Sequence, residues 1–137
     1  MYSTLNLSHA EAQALIDVIR RRLEAEKKSA AIAVADSHGE LVAFLRMDGC
    51  HLPPGQIAQN KAFTAARERN PSGAIGESSR TRPFPMTNYG DLRYVGWAGG
   101  LPVVVDGQVV GAIGISGLDE AAEVELGTFA ISQVVKK

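Results

Sequence analysis

The chain has 137 residues, 45% of them apolar and 21% charged, with a formal net charge of −1. That size and composition suit one soluble globular domain over residues 1–137, built on a single core. They give no electrostatic case for a nucleic-acid or anionic-membrane partner, and no apolar run is long enough to span a bilayer.

The N-terminus has neither a basic start nor an apolar signal core, and Cys50 is the single cysteine. A cytoplasmic protein without internal disulfides is expected. Ser8 and Glu11 then have capping-box spacing, and Leu7 is placed to staple onto the first helical turn. Ala12, Leu15, Ile16, Ile19 and Leu23 recur at helical spacing, so Ser8 to about Lys27 is predicted helical. Residues 30–35 and 40–46 are rich in apolar types, and Asp36, Ser37, His38 and Gly39 supply a turn between them. This is a predicted hairpin.

"MDGCHLPPG" breaks the pattern as a loop. "PGQIAQNKAFTAARERN" is predicted to be a second helix, with Pro54 near its start and Asn70-Pro71 closing it. Ile57, Ala58, Ala62, Ala65 and Ala66 give it a small-residue face suited to close packing on a sheet. "PSGAIGESSRTRPFPMTNYGDLRY" is expected to be irregular, with at most one short helical turn around Ser72–Glu77. A stretch that long is usually functional or mobile.

Seven of the fourteen glycines fall between Val95 and Gly117. Asp106-Gly107 marks a hairpin between strands Leu101–Val105 and Gln108–Ser116. "LDEAAEVELGTFAISQVV" is predicted helical, with acids in its first turn and Ala122, Leu126 and Phe129 facing inward. Gly127 weakens its continuity. Hairpins interrupted by helices argue for an antiparallel sheet with helices packed on it.

Gly111, Gly114 and Gly117 do not have dinucleotide-fingerprint spacing, and no lysine and hydroxyl residue complete a P-loop. Gly111 and Gly114 are better read as places where something packs close against the sheet. His9, His38, His51 and Cys50 lack a zinc-ligand spacing, so no metal site is expected. Ser116 has no histidine partner by pattern.

Lys61 lies beside the small apolar face of the second helix. An amine in such a setting can act as a base or Schiff-base nucleophile. It can equally cover apolar surface with its stem and keep its head wet. Arg67, Arg93 and other arginines surround Tyr89, Tyr94 and Trp97. Guanidinium groups there would suit a flat anionic ligand. The alternative is a charged loop whose arginines pair with Glu68, Glu77 and Asp91.

Three stretches resemble one family. "AVADSHGELVAFLRMDG" is similar to its first hairpin, "IAQNKAFTAA" to its lysine-alanine helix, and "GGLPVVVDGQVVGAIGISG" to its glycine-rich hairpin. The family is that of the GlcG/HbpS-like proteins, or haem-degrading domain family, which includes the C-terminal domain of PduO-type cobalamin adenosyltransferases. The resemblance implies an α+β, profilin-like sandwich, an antiparallel sheet of about five strands with flanking helices. It implies a homo-oligomer, as dimer, tetramer or octamer. Some relatives bind haem, degrade it or sense redox stress, and others are encoded among catabolic genes.

The family's lysine falls on Lys61, its double glycine on Gly99 and Gly100, and its hairpin aspartate on Asp36. The expected function is binding of haem or a similar planar anionic small-molecule ligand. Arg67, Arg93, Tyr94, Trp97, Gly99 and Gly100 would line the site with Lys61 in the pocket, and a His or Tyr would be the axial ligand of haem. Two alternatives stand beside it. One is a metal-independent isomerase, lyase or hydrolase acting on a small carboxylate through Lys61. The other is an accessory subunit that docks another protein.

Overall fold

The computed structural model describes residues 1–135. Helix α1 runs His9–Ala25, and its capping box forms in both directions between Ser8 and Glu11. It ends at Ala25, slightly earlier than the Lys27 the sequence suggests, and Lys27 just beyond it turns the chain with a φ of 57°. Leu7 goes into the core instead of merely stapling the helix. Its N–H donates to Val110 O at 2.9 Å, and its side chain lies over Gly111, where any Cβ would collide with it.

Strands β1 (Ala31–Asp36), β2 (Leu41–Arg46), β3 (Gly100–Val105) and β4 (Gln108–Ser116) form one antiparallel sheet in the order β2-β1-β4-β3. Four strands form among the described residues, fewer than the five or so implied by the resemblance. The Asp36 carboxylate accepts the N–H groups of His38 and Glu40 at 2.9 and 3.1 Å and so builds the first turn. Asp106 and Gly107, with φ of 49° and 76°, build the second in the left-handed conformations that a two-residue hairpin needs.

β1 is buried on both faces, and its sequence separates them. Ile32 and Val34 point with Ile113 and Ile115 into the main core, where they meet Leu15, Ile16, Ile19 and Leu23 of α1 and Leu126 and Ala130 of α4. Helix α4 is Glu120–Val134, unbroken at Gly127. Ala31, Ala33 and Ala35 point the other way, onto Ala58 and Ala62 of helix α2 (Pro53–Glu68). Large residues on one face and alanines on the other let α2 sit unusually close to the sheet. Gly114 completes that surface, since a Cβ there would overlap the backbone of α2 at Ala58 and Ala62.

Two helices also differ from the sequence expectation. Ser72–Thr81 forms a full helix, α3, followed by a 3-10 turn at Met86–Tyr89. Its serines and glycines are poor helix formers. Tertiary packing of Ser72, Ile75 and Gly76 holds it instead, with Gly76 against the backbone of Gly96. In α4, the inward face is Glu123, Leu126, Gly127 and Ala130. Phe129 is 38% exposed, with the Arg22 guanidinium 4.9 Å from its ring centre, and Ala122 is only half-buried.

Candidate functional site

Lys61 projects from α2 at the end of β4. It is 3% exposed, and its Nζ donates to Glu123 Oε1 at 2.8 Å and to Ile115 O at 3.0 Å. Glu123, on α4, is 1% exposed. Its other oxygen, Oε2, accepts the Leu118 N–H at 3.0 Å. The pair thus ties together two helices that pack on opposite faces of the sheet.

Gly99 makes room for this crossing. Its φ is +120°, and a Cβ built there would lie 2.6 Å from Glu123 Oε1 and 2.9 Å from Lys61 Nζ. Gly100 is equally tight, because its Cβ would overlap the Lys61 carbonyl. Ser72 fixes the loop from the other side. Its hydroxyl donates to Trp97 O at 2.7 Å and accepts the Gly100 N–H at 2.8 Å. Glu120 holds the next residue, accepting the Ala98 N–H at 2.8 Å.

Above the pair opens a cleft of about 350 Å³, lined by His51, Pro53, Pro54, Ile57, Lys61, Trp97, Ser116, Gly117, Leu118, Glu120 and Glu123. Trp97 is 56% exposed here. Among the described residues, no group of three or more His, Cys, Asp or Glu side chains is placed to hold a metal ion. No described helix is long and apolar enough to cross a membrane.

The predicted site residues divide between two places. Lys61, Trp97, Gly99 and Gly100 come together at the cleft. Arg67, Arg93 and Tyr94 do not reach it and form a separate cluster around Phe63. The two guanidinium carbons stand 4.7 and 3.9 Å from the Phe63 ring centre. Both arginines pair with Glu40 at 3.4 Å, and Arg93 also pairs with Asp91 at 3.0 Å. Hydrogen bonds from the Arg93 side chain and backbone hold the Asp91 carboxyl below its ordinary range. Tyr94 stacks on Tyr89 at 4.2 Å and meets Phe63 edge-on at 5.2 Å. Burial, with Glu68 beside it, pushes its phenol above the usual value. The arginines here neutralise carboxylates and clamp aromatics, so their charge is already satisfied.

The sequence reading missed Glu123, Ser116 and His51 as cleft residues. Glu123 did carry a signal. It shares a face with Leu126 and Ala130 at helical spacing, which marks an acid on the buried side. Burial pushes its carboxyl above the usual range, against hydrogen bonds from Lys61 and Leu118. The folded chain therefore holds this proton more tightly than the unfolded chain. The stability it contributes is greatest at low pH and falls as pH rises from the unfolded carboxylate range through the raised folded value. Glu123→Gln is expected to flatten that part of the curve, as measured by urea unfolding at successive pH values from about 4 upward.

Residues 7–132 match the family model described as "Haem degrading protein HbpS-like". The chain belongs to the HbpS-like family. Among its relatives, Protein GlcG of Escherichia coli K12 is 37% identical over 122 residues, 85% of each chain. The fold matches solved HbpS-like structures closely. A double mutant of Streptomyces reticuli HbpS superposes with a TM-score of 0.86 at 24% identity, covering 100% of this chain and 92% of that one. The structure described as a PduOC–haem complex superposes at 0.87 with 20% identity, covering 96% of both chains.

Proposed function

We propose that this HbpS-like chain is a ligand-binding protein whose cleft takes haem or a similar planar, carboxylate-bearing molecule. The observation that carries the reading is the cleft's make-up. Trp97, Pro53, Pro54 and Ile57 give it flat apolar walls, and the His51 imidazole lines the same space. Pockets for small ligands are mostly apolar with a few converging polar groups. Imidazole is also a common ligand of haem iron, so the donor set fits the group. Trp97 and the prolines would hold the ring, and His51 the iron. Bound haem would supply redox chemistry at that iron. The protein's part is to orient the ring and to keep water from its covered face. The haem complex of a structural relative supports the same reading. Homo-oligomeric assembly, cytoplasmic residence and a role in catabolism belong to the proposal on family grounds.

Haemin titration tests it. Saturable binding at one haemin per chain with a shifted Soret band is expected. His51→Ala should weaken binding and change the band's position. Weak, unsaturable uptake that ignores His51 would sink the idea.

A second reading is favoured by the buried Lys61–Glu123 contact, 2.8 Å long. Such a pair can move a proton on a small carboxylate substrate. That reading requires turnover that disappears when Lys61 is replaced in a variant that still folds.

A further inference from the structure

Ser116 is the last residue of β4 and lies on the face covered by α2, in line with Gly114 and Ala112. It is 5% exposed, and its small exposed part opens on the cleft. Among the described residues its hydroxyl makes no hydrogen bond, and since no side-chain polar atom there is both sealed from solvent and unpaired, this oxygen reaches the cleft. Its chain neighbour, Ile115, supplies the carbonyl that holds Lys61 at 3.0 Å. Lys61 has three N–H donors, and two are taken, by Ile115 O and Glu123 Oε1. No described residue takes the third.

The first turn of α4 stands at the same rim through Leu118 and Glu120, and its N-cap, Asp119, makes no side-chain capping bond. Its free amides add positive potential there. Glu120 opposes an incoming anion, but it is exposed and one of its oxygens is occupied by the Ala98 N–H.

We propose that the cleft floor is a carboxylate subsite, in which the Ser116 hydroxyl and the third Lys61 N–H donate to one ligand carboxylate. Glu123 already balances much of the Lys61 charge, so the subsite suits a monoanion better than a phosphate. The assignment rests on the cleft being the ligand site. The carboxylate can come from a tetrapyrrole side chain or from a small organic acid.

Trp97 is the single tryptophan, so its fluorescence reports occupancy of this cleft. Haemin, haemin dimethyl ester and benzoate are titrated against the parent chain and Ser116→Ala, which removes one oxygen; urea midpoints check the fold. A loss of about tenfold or more in haemin affinity in S116A, with the ester indifferent to it, supports the subsite with a tetrapyrrole source. The same loss for benzoate alone supports it with a small-acid source and removes haem from the site. Tight haemin binding unaffected by esterification or by S116A, together with benzoate equally indifferent, overturns the subsite and leaves the haem reading intact. Binding of none of the three to the parent chain overturns both.

Discussion

Lys61→Met is expected to cost about 3–5 kcal/mol of folding free energy, a large share of what a domain this size commands. Glu123 would be left at 1% exposure with no ammonium beside it. It must then stay charged without compensation or take up a proton, and either state is penalised. The Ile115 carbonyl loses its partner as well. Glu123→Leu should cost a similar amount by stranding the amine. The double variant Lys61→Met with Glu123→Leu should recover most of the loss, because an apolar pair of similar volume removes both desolvation penalties. Urea unfolding of the four chains gives the coupling directly. Single-variant losses below about 1 kcal/mol would mean that the pair is effectively solvated, contrary to its burial. The double variant also supplies a folded chain without the Lys61–Glu123 pair, which the test of proton transfer needs.

Gly114→Ala is the second large effect. The added methyl group would overlap the Ala58 carbonyl and the Ala62 amide of α2. These are backbone atoms, so no side chain can swing aside, and the helix must lift from the sheet. The cost should reach or pass the top of the ~1–3 kcal/mol range usual for an overfilled core. Because α2 carries Lys61, ligand binding should weaken in parallel. Gly107→Ala provides the contrast. A Cβ there meets nothing within 4 Å, so only the left-handed φ of +76° is strained. About 1–2 kcal/mol is expected. Equal urea midpoints for the two variants would contradict the close helix–sheet contact.

Local chemistry made much of this legible in the sequence. The capping box of α1, the Asp106-Gly107 turn and the alanine face of α2 each announce their structure within a few residues. Gly111 and Gly114 were identifiable as close-packing positions because they interrupt a strand without forming a phosphate loop. Lys61 stood out as a basic residue on an otherwise small, apolar face.

The parts that were not legible depend on contacts between segments distant in sequence. Arg67 and Arg93 look like anion-binding groups until Glu40, from the first hairpin, is brought beside both. Helix α3 is held by the backbone of Gly96 and the core, against its own propensity. Glu123 sits in a first turn where acids are favoured by the helix dipole, and that ordinary explanation hid its buried role. Ser116 reads as one more small strand residue until α2 is in place and its hydroxyl is seen without a partner.

In the proposed complex a planar ligand lies against Trp97, above the Lys61–Glu123 pair. Stoichiometric haemin titration, followed at once by the Soret band and by tryptophan emission, tests it most directly. The indole is the chain's only one and lines the cleft. The Soret shift and near-complete quenching of Trp97 should saturate together at one haemin per chain. Full emission alongside a saturated Soret shift would put the ligand elsewhere, and no saturable shift would remove it altogether.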